Sequence, residues 1–159
     1  MIEMIKTITI HTDGSAAPNP GRGGWAAILS SGEYTKEICG GYRLTTNNRM
    51  ELMSVIEAIK RIKHENAQLD IYSDSSYVVD SISKGWVDNW ARTNYKGKKN
   101  SDLWKEFQEL RKKYTINMIW VKGHASNPGN NRCDELACSQ SAESNRLNWK
   151  IDEWYEANK

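Results

Sequence analysis

Apolar and polar positions change period several times along the chain, and each change marks an element. From Ile5 to Asp13 the residues are largely β-branched, with Ile8 and Ile10 alternating against Thr7 and Thr9, and the run stops at Gly14-Ser15 as a strand does before a turn. After the Pro/Gly-rich stretch Pro18 to Gly24, a second apolar run (Trp25 to Leu29) turns at Ser30-Ser31-Gly32 into a third (Glu33 to Tyr42). Such short connections predict an antiparallel meander. Asn47 or Asn48 is a suitable N-cap for a helix whose apolar positions Leu52, Val55, Ile56, Ile59 and Ile62 recur at helical spacing up to Lys63.

Leu69 to Asp74 is a fourth predicted strand, and Ser75 or Ser76 caps a short helix through Val78, Val79 and Ile82. Trp86 to Asn100 is expected to be a protruding basic loop. A helix follows from about Ser101 (Leu103, Trp104, Phe107, Leu110), then a fifth strand, Ile116 to Val121. A Gly/Asn-rich loop, Gly123 to Asn131, leads into a helix carrying Asp134, Leu136, Ala137 and Ala142. A meander followed by alternating helices and strands implies an α/β domain with a mixed sheet.

The chain has 159 residues, 38% of them hydrophobic and 26% charged, which suits one globular domain. Its body is expected to span residues 1–145. Residues 146–159 form a C-terminal tail in which Trp149, Trp154 and Tyr155 suggest docking. A mean hydropathy of −0.74 and no apolar run near the roughly 18 residues of a membrane span exclude a transmembrane helix. The first apolar residues alternate instead of forming a signal-peptide core. Three cysteines (Cys39, Cys133, Cys138) without a C-x-x-C pair fit neither a disulfide framework nor a zinc site, so a reducing, cytoplasmic compartment is expected. No leucine heptad or extended apolar face demands an oligomer, and a monomer is expected.

The net charge of +2 hides a local excess: residues 84–124 hold ten Lys/Arg and four Asp/Glu, whereas residues 1–79 hold eight and nine. With aromatics interleaved and no long amphipathic basic helix, that excess points to a polyanion and away from a membrane. Two aspartates, Asp13 and Asp74, fall at strand ends, while Glu51 and Asp134 fall in the first turns of helices. In open α/β sheets functional groups gather at strand ends. Taken singly each acid also fits a turn, a cap or a dipole-favourable surface position.

The wording around these acids carries more. Thr12-Asp13-Gly14-Ser15, Thr45-Thr46-Asn47-Asn48-Arg49-Met50-Glu51-Leu52, Ser73-Asp74-Ser75-Ser76-Tyr77-Val78, Val121-Lys122-Gly123-His124 and Cys133-Asp134-Glu135-Leu136-Ala137 occur in this order. Together they resemble the ribonuclease HI family, over about residues 4 to 142. The resemblance implies a ribonuclease H-like fold, a five-stranded mixed sheet flanked by helices. It also implies endonucleolytic hydrolysis of the RNA strand of RNA/DNA hybrids, leaving 3′-hydroxyl and 5′-phosphate ends. Asp13, Glu51, Asp74 and Asp134 match the family's metal-binding carboxylates, and His124 its catalytic histidine. Mg²⁺ is a hard ion that takes oxygen ligands and keeps some of its water, so carboxylates suit it, with Mn²⁺ as a substitute. Two such ions roughly 3.5 to 4 Å apart activate a water and stabilise the departing oxygen of an in-line displacement.

By the same resemblance Asn19, Asn47 and Asn48 contact the hybrid in its minor groove, where amides meet sugar hydroxyls and base edges. Thr46 belongs to a pocket for a DNA-strand phosphate and Trp86 to a channel along that strand. Arg92, Lys96, Lys98 and Lys99 resemble the basic protrusion of bacterial and eukaryotic members, whose charges neutralise phosphates. Trp90 and Tyr95, set among these basic residues, are candidates for base contact. Trp25, Trp104 and Trp120 lie in apolar patterns and are expected in the core. The sequence departs from the family pattern at Ser76, where a glutamine is common, and at Leu44, where an arginine is often found. Two alternatives stand beside the enzyme: a catalytically silent hybrid-binding module, and a DNA nuclease or resolvase of the same fold. The intact carboxylates and His124 argue against the first, and the Thr45 to Leu52 motif with the basic protrusion against the second.

Overall fold

A computed structural model describes residues 6–123 and 127–159. Three long strands, β1 (Thr7–Ala16), β2 (Gly21–Ser31) and β3 (Tyr34–Thr45), form the expected antiparallel meander. α1 (Asn47–Lys60) crosses over to β4 (Gln68–Ser73), which pairs parallel with β1. Helices α2 (Ser76–Ser83), α3 (Trp86–Arg92) and α4 (Ser101–Arg111) then cross over to β5 (Thr115–Trp120), parallel with β4. α5 (Pro128–Ser141), a 3-10 turn (Glu143–Asn148) and α6 (Glu153–Asn158) complete the chain. The sheet order is β3-β2-β1-β4-β5, the five-stranded mixed sheet that the sequence pattern predicts.

β2 is buried on both faces, and its period of two separates the layers. Trp25, Ala27 and Leu29 join the main core with Ile8, Ile10 and the apolar side of α1, whereas Ala26 and Ile28 meet Cys133 and Ala137 of α5. Within α1, Met50, Leu52, Val55, Ile56 and Ile59 are all essentially inaccessible to solvent. Burial of each large side chain contributes about 1.5–3 kcal/mol, which fixes α1 against the sheet far more firmly than helix propensity does.

Three local expectations change. The N-cap of α1 is Thr46, whose Oγ1 accepts from the Arg49 amide at 3.2 Å, so neither Asn47 nor Asn48 serves as the cap. Trp86–Arg92 is a helix, not loop: Val87 is wholly buried, and Trp90 and Tyr95 pack onto the core. The expected protrusion is thereby reduced to residues 93–100. Trp120, expected in the core, is 54% exposed and donates its indole N–H to the Asp74 carbonyl at 3.3 Å. Trp25 and Trp104 are buried as expected.

The segment after the 3-10 turn is tied to β3 and α1. The Lys150 amide donates to the Gly41 carbonyl and the Arg43 amide to the Lys150 carbonyl. The Trp149 indole reaches the Gln140 carbonyl at 2.7 Å, and Arg43 grips Glu156 through two hydrogen bonds. Deeper in, Arg49 donates to both oxygens of Asp152 and both oxygens of Asp102 at 2.7–2.9 Å, with the Trp154 ring 4.9 Å from its guanidinium carbon. No helix among the described residues is long and apolar enough to cross a membrane.

Candidate active site

The parallel register of β1 and β4 pairs His11 with Tyr72, so Asp13 and Asp74 emerge at neighbouring strand ends. α1 enters beside them because Gly14 leaves room: a Cβ there would collide with the backbone of Met50 and Glu51. That close approach delivers Glu51 to the aspartates, and ligand oxygens of Asp13, Glu51 and Asp74 lie within 4.8 Å of one another. Asp134, on α5, lines a narrow cleft with Asp13, Asp74, Gly123, Asn130 and Asn131. α5 is held there by Asn130, whose amide spans His11 Nδ1 at 2.9 Å and the Thr12 carbonyl at 3.2 Å. The structure thus brings all four sequence-predicted carboxylates to one place.

The proton affinities of Asp13 and Glu51 record that crowding. Burial, then the Asp74 charge, pushes Asp13 up to about 7, although a hydrogen bond with Glu51 opposes the rise. Burial and the two aspartates hold the Glu51 carboxyl well above the usual carboxylate range. Glu51 Oε2 is buried without any hydrogen-bond partner. A buried acceptor left unsatisfied is costly, and a hard cation is the partner such an oxygen cluster suits. The donor set therefore fits a divalent metal ion: oxygen only, several carboxylates, no thiolate or imidazole among the clustered side chains.

A depression of about 300 Å³ continues from Glu51 and Asp74 past Gly14, Ser15, Asn47, Asn48 and Ser75 to Ser76 and Tyr77. Asn48 is exposed there. Asn47 spends its carbonyl on the Ala16 amide, and Asn19 accepts from the Asn47 amide at 3.1 Å, so these two residues also lock the loop after β1 to the start of α1. A second depression, about 490 Å³, contains Thr46 with Asn19, Asn48, Lys99 and Asn100 on one side and residues of α6 on the other. Leu44 is half-buried and adds no charge to this region.

Trp86 is 41% exposed with the Lys84 ammonium 5.5 Å above its ring. Arg92, Lys96, Lys98 and Lys99 are all exposed. Trp90 is half-buried, stands edge-on to Trp104 at 5.9 Å and has the Lys98 ammonium 5.3 Å over its ring. His124 lies outside the described residues. Cys133 is buried, with its thiol pushed up to about 12 by burial and then the Asp13 charge, while Cys39 and Cys138 are exposed and unpaired.

Sequence reasoning does not single out Asn100, which adopts a left-handed conformation (φ 62°) and is buried beside Tyr77 and Arg49. An asparagine just before a predicted helix start is the available signal, since Asn tolerates that conformation. Arg49 also escapes it, although a charged residue amid the apolar positions of α1 marks a buried pair.

Clustered carboxylates at neighbouring strand ends of a mixed sheet, beside an amide-lined depression, fit the class of metal-dependent phosphodiesterases. Residues 5–142 match the family model for RNase H, and the chain belongs to that family. A ribonuclease H of Chlorobium luteolum is 51% identical over 139 residues, covering 84% of this chain and 94% of the relative. A ribonuclease H of a Thermoanaerobacter species is 46% identical over 155 residues, 94% of this chain and 99% of its own length. Among solved structures, LC9-RNase H1, a type 1 RNase H with the type 2 active-site motif, superposes with a TM-score of 0.79 at 26% identity, covering 89% of this chain and 74% of that one.

Proposed function

We propose that this chain is an endoribonuclease that hydrolyses the RNA strand of RNA/DNA hybrids, leaving a 3′-hydroxyl and a 5′-phosphate. The observation that carries this is the oxygen-only cluster of Asp13, Glu51 and Asp74, with an unpartnered Glu51 oxygen, at the end of a depression lined by the amides of Asn47 and Asn48 and the hydroxyls of Ser15, Ser75, Ser76 and Tyr77. Asp13, Glu51, Asp74 and Asp134 hold the metal, Mg²⁺ by preference and Mn²⁺ as a substitute. With two divalent ions bound, the site would have a water activated for attack and charge stabilisation for the departing oxygen.

The chain's own residues do the rest. Burial and the neighbouring charges hold the Asp13 and Glu51 carboxyls above the usual carboxylate range, so loading is favoured by rising pH. Asn48, with the amide nitrogens of Asn19 and Asn47, meets ribose hydroxyls and base edges in the minor groove, where the 2′-hydroxyl separates RNA from DNA. Thr46 and Trp86 position the DNA strand, and Arg92, Lys96, Lys98 and Lys99 neutralise phosphates without reading sequence. Trp90 supports Trp104 from beneath that surface. His124 is the catalytic histidine, an imidazole able to orient water, help protonate the leaving group or release product. The enzyme acts as a cytoplasmic monomer.

The test presents labelled RNA/DNA hybrid, double-stranded RNA, single-stranded RNA and double-stranded DNA with Mg²⁺, with Mn²⁺ and with chelator. Metal-dependent cleavage of RNA in the hybrid alone is expected. Tight binding without cleavage identifies a silent module, and cut DNA identifies a nuclease of another branch.

A further inference from the structure

The depression that contains Thr46 has a second wall, and that wall is the C-terminal helix. Trp154, Tyr155, Asn158 and Lys159 line, together with Thr46, Lys99 and Asn100, a volume of about 490 Å³ whose lining, among the described residues, includes no acidic side chain. This is not a matter of composition, because α6 and its cap carry Asp152, Glu153 and Glu156. Asp152 is turned inward onto Arg49 and Thr45, and Glu156 is clamped by Arg43. The Arg43 hydrogen bond, with a smaller contribution from Lys159, holds the Glu156 carboxyl below its usual range. What α6 offers to the depression is a phenol, an amide and an ammonium.

We propose that Tyr155, Asn158 and Lys159 form part of the nucleic-acid-binding surface and receive the sugar-phosphate backbone of one strand of the hybrid opposite Thr46 and Lys99. This inference rests on the proposed action on hybrids and extends the substrate surface beyond residue 142, where the family match ends. The chemistry is that of a phosphodiester: the Lys99 and Lys159 ammonium groups, the Tyr155 hydroxyl, and the second amide hydrogen of Asn158, whose first donates to the Trp154 carbonyl at 2.7 Å. The wall is held in place for this purpose. Arg49 fixes Asp152 from the same helix that carries Asn48 and Glu51, so the position of α6 is set by the element that also sets the carboxylates. The Tyr155 hydroxyl has no hydrogen-bond partner among the described residues, whereas its amide is tied to Asp152 at 3.3 Å. Its donor is available to a ligand while its backbone is anchored.

The experiment measures hybrid cleavage by the full chain and by Lys159→Glu, Lys159→Arg and Tyr155→Phe/Asn158→Ala, with KM and kcat determined across a salt series. Thermal melts run alongside, since none of these side chains is in the core. Lys159→Glu is expected to raise KM about fivefold at moderate salt, with kcat retained. The slope of log KM against log salt is expected to fall by about 0.7–0.9, the change for one phosphate deprived of its ammonium. Lys159→Arg is expected to restore both, and Tyr155→Phe/Asn158→Ala to raise KM without changing the slope. KM and salt slope equal to the parent in Lys159→Glu and in the double variant would overturn the proposal while leaving the cleavage activity standing. A parent that neither binds nor cleaves the hybrid would remove the proposed function, and this surface with it.

Discussion

Arg49 and Asp152 are 103 positions apart in sequence, yet they form a bidentate pair at 2.7 and 2.9 Å in which both side chains are almost wholly inaccessible to water. Asp102 completes the coordination of the guanidinium, but its side chain is 25% exposed. Removing one partner of a buried pair leaves a charge uncompensated, which costs about 3–5 kcal/mol, while water replaces an exposed partner at lower cost. Asp152→Ala is therefore expected to lower stability by about 3 kcal/mol or more in urea melts, and Asp102→Ala by clearly less. Equal losses in the two variants would contradict the burial assigned to Asp152.

The carboxylate cluster makes stability depend on pH in an unusual direction. Asp13 has a pKa of about 7 in the folded chain against 3.8 for an unperturbed aspartate, so the folded state holds its proton more tightly than the unfolded one. The associated stability is fully present below about pH 4 and is lost as pH rises through 7. Metal-free protein is expected to melt lower at pH 8 than at pH 5. In Asp13→Asn the decline is expected to be smaller, leaving the variant more stable than the parent at pH 8 by about 1–3 kcal/mol. A parent-minus-variant difference that does not change between pH 5 and pH 8 would count against the crowded cluster.

Divalent ions should reverse that penalty, because they bind the folded cluster and have no equivalent site on the unfolded chain. Millimolar Mg²⁺ is expected to raise the melting temperature of the parent at pH 8 and to leave Asp13→Asn nearly unmoved. An identical rise in both would assign the effect to ions bound elsewhere.

Much of the architecture is legible in the sequence, and the remainder is hidden for physical reasons. β1, β2, β4 and α1 announce themselves through local periodicity, and the acids at their ends sit in wording specific enough to predict their convergence. Trp120 misleads because alternation in β5 does not show which face is covered: the strand is at the sheet edge, and its last residue lies over Asp74 instead of under a helix. α3 escapes detection because seven residues between Gly85 and the polar Thr93-Asn94 give too short a period, although the wholly buried Val87 anchors it. Thr46 takes the cap from Asn47 since Asn47 is drawn to the Ala16 amide, an interaction across two elements. The docking of α6 depends on a pair spanning most of the chain, which no local pattern encodes.

Lys96, Lys98 and Lys99 lie in the turns after α3, exposed and without a salt-bridge partner among the described residues. Neutralising all three to alanine or glutamine is expected to weaken hybrid binding uniformly across sequences. For every phosphate that these lysines neutralise, the salt slope should fall by about 0.7–0.9 in the variant. A triple variant with unchanged affinity and slope would place these residues outside the interface.

If the Asp13, Glu51 and Asp74 oxygens hold metal for cleavage of RNA paired to DNA, weakening any one of them as a ligand should stop the chemistry and spare the binding. Single-turnover cleavage of a labelled hybrid in Mg²⁺ by the parent, Asp13→Asn and Glu51→Gln, with hybrid binding measured on the same preparations, separates the two. Both variants are expected to bind the hybrid as the parent does and to lose at least about a thousandfold in rate, equivalent to about 4 kcal/mol of barrier. Cleavage by either variant within about tenfold of the parent, about 1.4 kcal/mol, would contradict the metal-holding role of the cluster.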